Sequence, residues 1–116
     1  MVHNKIKEEI KNNEKILYIL LKQKDCPVCG EFDNIVKNVV STHKDYVKVV
    51  ECILEDLDEV QTFPHQFYPQ NFFYVKGREY PFIRPGAATP EALSGEIVKF
   101  KRVLDGEDVN EVFRPQ

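Results

Sequence analysis

Ile16-Leu17-Tyr18-Ile19-Leu20-Leu21, then Cys26-Pro27-Val28-Cys29, then Phe32, Ile35, Val36, Val39 and Val40 form the passage on which the fold turns. The first six residues are the longest uninterrupted apolar run in the chain. That run is far too short to span a membrane and reads as a strand buried on both faces, as in a parallel sheet. The last five recur at three- and four-residue steps, the signature of an amphipathic helix. Between them, a Cys-x-x-Cys pair sits where the strand hands over to the helix. Unpaired N–H groups and the positive end of the helix dipole lie near Cys26, and both favour its thiolate. Pro27 suits a first helical turn because it has no N–H to leave unsatisfied. Cys29 falls about one turn after Cys26 on the same side, close enough to close a disulfide. An exposed thiolate backed by a resolving thiol is the equipment for thiol–disulfide exchange.

Working outward, Ile6 and Ile10, with Val2 before them, predict a short first helix ending near Asn12-Asn13. Val47 to Leu54 is rich in β-branched residues and predicts a second strand. The acidic stretch Glu55 to Thr62, with Leu57 and Val60, predicts a short helix. Phe72–Val75, the turn Lys76-Gly77 and Glu79–Ile83 predict a hairpin. Pro81 cannot donate to a ladder, which assigns its strand to the sheet edge. Thr89-Pro90-Glu91 is a helix start, followed on one face by Leu93, Ile97, Phe100 and Leu104, with Gly106 as the stop. Strands alternating with helices imply an α/β layer fold with a mixed sheet. One domain over residues 1–116 is expected. The polar segment 107–116 reads as a loosely held tail, although Val109, Val112 and Phe113 could pack back on the body.

Composition narrows the function. The chain has 116 residues, 42% of them hydrophobic, and a net charge of −3 from 16 basic and 19 acidic side chains. A core of real size is available, and no basic face of the kind that binds a phosphate backbone is indicated. Met1 to Lys11 lack the basic-then-apolar plan of a secretory signal, so the expected location is the cytoplasm, where thiols stay reduced. Three cysteines are too few for a disulfide scaffold. Cys52, inside an apolar strand, reads as a small core residue. His43 and His65 read as solvated. The aromatics Phe72 and Phe73 read as core.

With these residues in hand, the sequence resembles the thioredoxin superfamily from about Val2 to Gly106. The strand–CxxC–helix unit is one landmark. Tyr68-Pro69-Gln70 before the apolar strand Asn71–Val75 resembles the family's second, a cis-proline facing the cysteine pair. Lys76-Gly77-Arg78 and Pro85-Gly86-Ala87 resemble two more. The resemblance implies a thioredoxin-like fold, with a mixed four- to five-stranded sheet flanked by helices. It implies a thiol–disulfide oxidoreductase in which Cys26 is the nucleophile and Cys29 resolves. Tyr68 and Pro69 would then contact substrate, with Asp25, Pro27 and Val28 completing the active-site loop. No cofactor and no metal are implied beyond the redox-active Cys26–Cys29 pair. The implied partners are disulfide-bearing proteins and an upstream reductant, thioredoxin reductase or glutathione, acting on a monomer with no nucleic acid and no membrane.

The departures matter. Thioredoxins usually read Trp-Cys-Gly-Pro-Cys, whereas this chain has Asp25 before Cys26 and no Trp. Their buried Asp, a proton relay for the second cysteine, corresponds to Leu20 here. Cys-Pro-x-Cys is closer to glutaredoxins, but the glutaredoxin Thr-Val-Pro loop is replaced by Phe67-Tyr68-Pro69, and the later Gly-Gly segment is missing. Asp25 and Glu31 act to raise the Cys26 pKa, and Lys22 and Lys24 to lower it. Two alternatives stay open: a glutaredoxin-like, glutathione-dependent reductase, and a thioredoxin-like binding module whose Cys26-Pro27-Val28-Cys29-Gly30 holds zinc. A structural zinc needs four ligands, and Cys52, His43, His65 and His3 offer no second pair.

Overall fold

A computed structural model describes residues 8–22, 29–53, 69–76 and 81–113. Residues 8–12 are helical (α1), followed by β1 (Ile16–Lys22), α2 (Cys29–Thr42) and β2 (Val47–Ile53). Then come β3 (Gln70–Val75), β4 (Phe82–Pro85), α3 (Pro90–Leu104) and α4 (Val109–Val112). The four strands lie in the order β2-β1-β3-β4. β1 and β2 are parallel, while β1–β3 and β3–β4 are antiparallel, so the sheet is mixed as expected. The helix foreseen within 55–62 and the turn residues 77–80 lie outside the described residues.

β1 owes its central place to its composition. Six of its seven residues are buried, and alternate side chains serve two cores. Ile16, Tyr18 and Leu20 face α2 and α3, against Phe32, Val36, Phe73, Ile97 and Phe100. Leu17, Ile19 and Leu21 face the other way, with Cys52, Phe72 and Tyr74, where Ile10 of α1 packs on them. The run is apolar throughout because neither face meets water.

The hairpin differs from its expected limits at both strands. β3 starts two residues before Phe72, at Gln70, and all six of its residues are buried, Gln70 and Asn71 included. β4 begins only at Phe82, in register with Phe73, and continues to Pro85 opposite Gln70. Pro81 thus precedes the strand instead of standing in it, because it has no N–H to give the ladder. Among the described residues β4 is an edge strand, as the proline predicts.

α3 follows its sequence signals closely. The Thr89 hydroxyl accepts from the Ala92 N–H at 3.1 Å, with Pro90 opening the first turn. At the other end the Gly106 N–H bonds to Val103 and the Glu107 N–H to Arg102, each at 3.0 Å. That paired closure needs a left-handed residue, and Gly106 supplies it at φ 105°. The chain then re-enters a helix: Asp108 caps α4 by accepting from the Asn110 N–H at 2.8 Å. Of the two courses open to segment 107–116, residues 109–113 take the packed one. Val112 is buried, and Phe113 stacks against Phe82 and Phe100 at 5.3 and 5.5 Å between ring centroids.

Phe100 is the hub of that aromatic group, touching Phe73, Phe82 and Phe113. Phe100→Ala is expected to cost about 3–5 kcal/mol, and Phe113→Ala, half-buried, about 1–2 kcal/mol. Urea denaturation of both variants checks this; an unmoved midpoint for Phe113→Ala would remove the last helix from the core.

Candidate functional site

The topology brings five chain segments to one end of the sheet. β1 and β2 run parallel and finish together, Lys22 opposite Ile53. Antiparallel β3 begins there, Gln70 opposite Leu21, and β4 ends there, Pro85 opposite Gln70. α2 opens at the same end with Cys29, seven residues after Lys22, and its first turns contact β1 through a Lys22–Asp33 bond of 2.9 Å. Its far end closes the opposite side of the sheet, where the Ile16 N–H bonds to the Tyr46 carbonyl. The first residue of α2 and Pro69, which directly precedes β3, therefore share one end of the molecule. Cys26, Asp25, Pro27, Val28 and Tyr68 lie outside the described residues, as do His3, His65 and Lys24.

Pro69 is buried, and its carbonyl accepts from the Gly86 N–H at 2.7 Å. Gly86 has φ 81°, the left-handed region where a side chain would be strained, and this turns the chain from β4 towards α3. Two residues that the sequence did not single out complete this corner. The buried Tyr18 hydroxyl donates to Oδ1 of Asn71. The Asn71 amide nitrogen donates to the carbonyls of Arg84 and Gly86 at 2.8 and 2.9 Å. Their signal was available: Asn71 is an amide directly abutting an aromatic and aliphatic run, Phe72 to Val75. A fully buried amide has to find partners.

At the end of β1, Lys22 is engaged by two carboxylates. Its ammonium lies 2.9 Å from Asp33 and 3.7 Å from Glu51, so its charge is balanced locally. Asp33 escaped the sequence reading because a carboxylate one residue after Phe32 looks like an ordinary helix surface. The other oxygen of Asp33 is buried and has no hydrogen-bond partner among the described residues. Glu31 stands exposed in the first turn of α2, where a negative charge also favours the helix itself.

Leu20 is fully buried and apolar, so no carboxylate stands at that position of β1. Cys52 lies in the second core as expected, a free thiol whose pKa burial, aided by Glu51, pushes up to about 11. His43 is not simply solvated. It is half-buried, its Nδ1 meets the Tyr46 hydroxyl, and its Nε2 lies 3.1 Å from the Ser94 hydroxyl. The ring thus ties the turn after α2 to α3. Among the described residues, no group of three or more His, Cys, Asp or Glu side chains could hold a metal ion. No described helix is long and apolar enough to cross a membrane.

A mixed sheet in this order, with a helix crossing between its parallel strands and a proline opening its third, defines the thioredoxin-like class. The chain takes the thioredoxin fold. Chloroplastic thioredoxin z matches it at a TM-score of 0.76 and 14% identity, over 84% of this chain and 88% of that one. The germline-specific thioredoxin Deadhead of Drosophila melanogaster matches at 0.69 and 17% identity, covering 84% of this chain and 90% of that one. A J-Trx1 fragment of ERdj5 matches at 0.75 and 12% identity, with 90% of this chain aligned to 50% of that one. No protein-family model matches the sequence. Neither does any curated protein.

Two measurements probe this end of the molecule. Lys22→Met is expected to cost about 1 kcal/mol in urea denaturation, because it leaves the half-buried Asp33 unpaired; Glu51→Gln, more exposed, should cost less. The Cys52 thiol should resist iodoacetamide at pH 8 in the native protein and react in urea. Its pKa is raised on folding, so the stability it contributes is present below about pH 9 and is lost as pH climbs towards 11. A smaller alkaline loss of stability in Cys52→Ala than in the wild type checks the sign.

Proposed function

We propose that this protein is a thiol–disulfide oxidoreductase that reduces or exchanges protein disulfides through Cys26 and Cys29. The observation that carries the reading is the shared sheet end. Within a thioredoxin fold, the helix that starts at Cys29 and the strand that starts after Pro69 meet at one edge. A Cys-x-x-Cys whose second cysteine opens that helix would be suited to act on a substrate strand bound at this end.

The chemistry follows from the two thiols. The Cys26 thiolate attacks one sulfur of a substrate disulfide, forming a mixed disulfide, and the departing substrate thiolate takes up a proton. Cys29 then loses its proton and attacks the Cys26 sulfur, releasing the second substrate thiol. Two electrons and two protons have passed to the substrate, and the enzyme is left with a Cys26–Cys29 disulfide. A dithiol or an upstream reductase returns those electrons, so no further cofactor is required. The backbone at Tyr68 and Pro69 would pair with the substrate strand, and Asp25, Pro27 and Val28 would shape the rim of the attacking thiol. The reading places the protein in a reducing compartment such as the cytoplasm, acting as a monomer on disulfide-bearing proteins.

Turnover of a protein disulfide with a dithiol donor tests this. Cys26→Ser should fall to the uncatalysed background, and Cys29→Ser should stall as a covalent adduct visible by intact mass. Wild-type rates in Cys26→Ser would end the reading. A stoichiometric zinc ion held tightly by the reduced protein would instead favour a binding module. Running the assay with thioredoxin reductase against glutathione identifies the donor.

A further inference from the structure

Asn71 and Tyr18 do something that core packing does not require. They belong to adjacent antiparallel strands and point to the same face, two residues apart in register, since Tyr18 pairs with Phe73. Both are fully buried. A leucine and a phenylalanine would fill such positions without any polar group to satisfy, and buried amides left unpaired are costly. The polar pair instead fixes backbone at the sheet end. Asn71 accepts from Tyr18 and directs both amide hydrogens to β4 and the turn beyond it. The bond to the Arg84 carbonyl reinforces the ladder. The bond to the Gly86 carbonyl extends it one residue beyond the end of β4 at Pro85, where backbone pairing has stopped.

Gly86 is consequently held at both of its polar groups. Its carbonyl is fixed by Asn71, and its N–H is fixed by the Pro69 carbonyl at 2.7 Å. The Gly86 turn and Pro69 become one rigid corner, anchored through Tyr18 into the central strand.

We infer that Asn71 and Tyr18 are a positioning pair that sets the Pro69–Gly86 backbone as a wall of the groove for a protein substrate. This rests on the oxidoreductase reading, and it makes a distinct claim within it. The pair governs recognition of an extended polypeptide and leaves the thiol chemistry untouched. A backbone wall displaced by a fraction of an ångström spoils the fit of an extended chain laid against it, whereas a small disulfide needs no such wall.

The test is the double variant Tyr18→Phe/Asn71→Leu, which keeps volume while removing the polar network. It should raise KM for a folded protein disulfide by about tenfold, leave kcat close to wild type, and leave reduction of a small aromatic disulfide unchanged. Amide hydrogen exchange at Gly86 should accelerate by about tenfold as its clamp is lost. Unchanged KM and unchanged Gly86 exchange in the folded double variant would overturn the inference. So would equal losses on the protein and the small disulfide. Should the double variant fail to fold, Tyr18→Phe alone decides: it deletes one hydroxyl, and an unaltered Gly86 exchange rate and KM overturn the proposal. If the wild type turns over neither disulfide, the oxidoreductase reading itself fails and the groove assignment falls with it. Wild-type activity with an unmoved KM in the variant defeats only the positioning role.

Discussion

Everything in this molecule depends on β1 being covered on both sides. A strand whose Ile16, Tyr18 and Leu20 pack under two helices, and whose Leu17, Ile19 and Leu21 pack against a second core, has no solvent face to lose. Its neighbours are dictated by that requirement. α2 must cross over the sheet to return the chain parallel beside β1, and this leaves the start of α2 at the end where β1 finishes. β3 must cover the other edge of β1, and because it runs antiparallel, its first residue arrives at that same end. The candidate site is thus a by-product of burying one strand twice.

Much of this is legible in the sequence. The six-residue apolar run, the helical spacing from Phe32 to Val40 and the Thr89-Pro90 start each carry a local physical signal strong enough to stand alone. The limits of β4 are less legible, because a proline says where a ladder bond is impossible and not where pairing resumes. The fate of Val109 to Phe113 is open for a similar reason. A four-residue helix has no periodicity to read, and only the long-range stack of Phe113 on Phe82 and Phe100 fixes it.

Within the site, the residue types that bear chemistry stand out, whereas those that organise it do not. Cys29 and Pro69 are conspicuous in sequence. Asn71 and Asp33 become meaningful only through partners distant in the chain: Tyr18 lies 53 residues before Asn71, and Lys22 lies 11 before Asp33. Pairing of that kind depends on strand register and helix placement, which a single sequence specifies only collectively. The same applies to His43, whose contact with Ser94 spans 51 residues.

The short β4 carries a last consequence. It has four residues, is preceded by Pro81 and ends on Pro85, and among the described residues it occupies the border of the sheet. An incoming strand laid along that border would find few free donors before meeting a ring nitrogen with no hydrogen. The sheet is thereby protected from lengthening sideways into a stack of copies at this border.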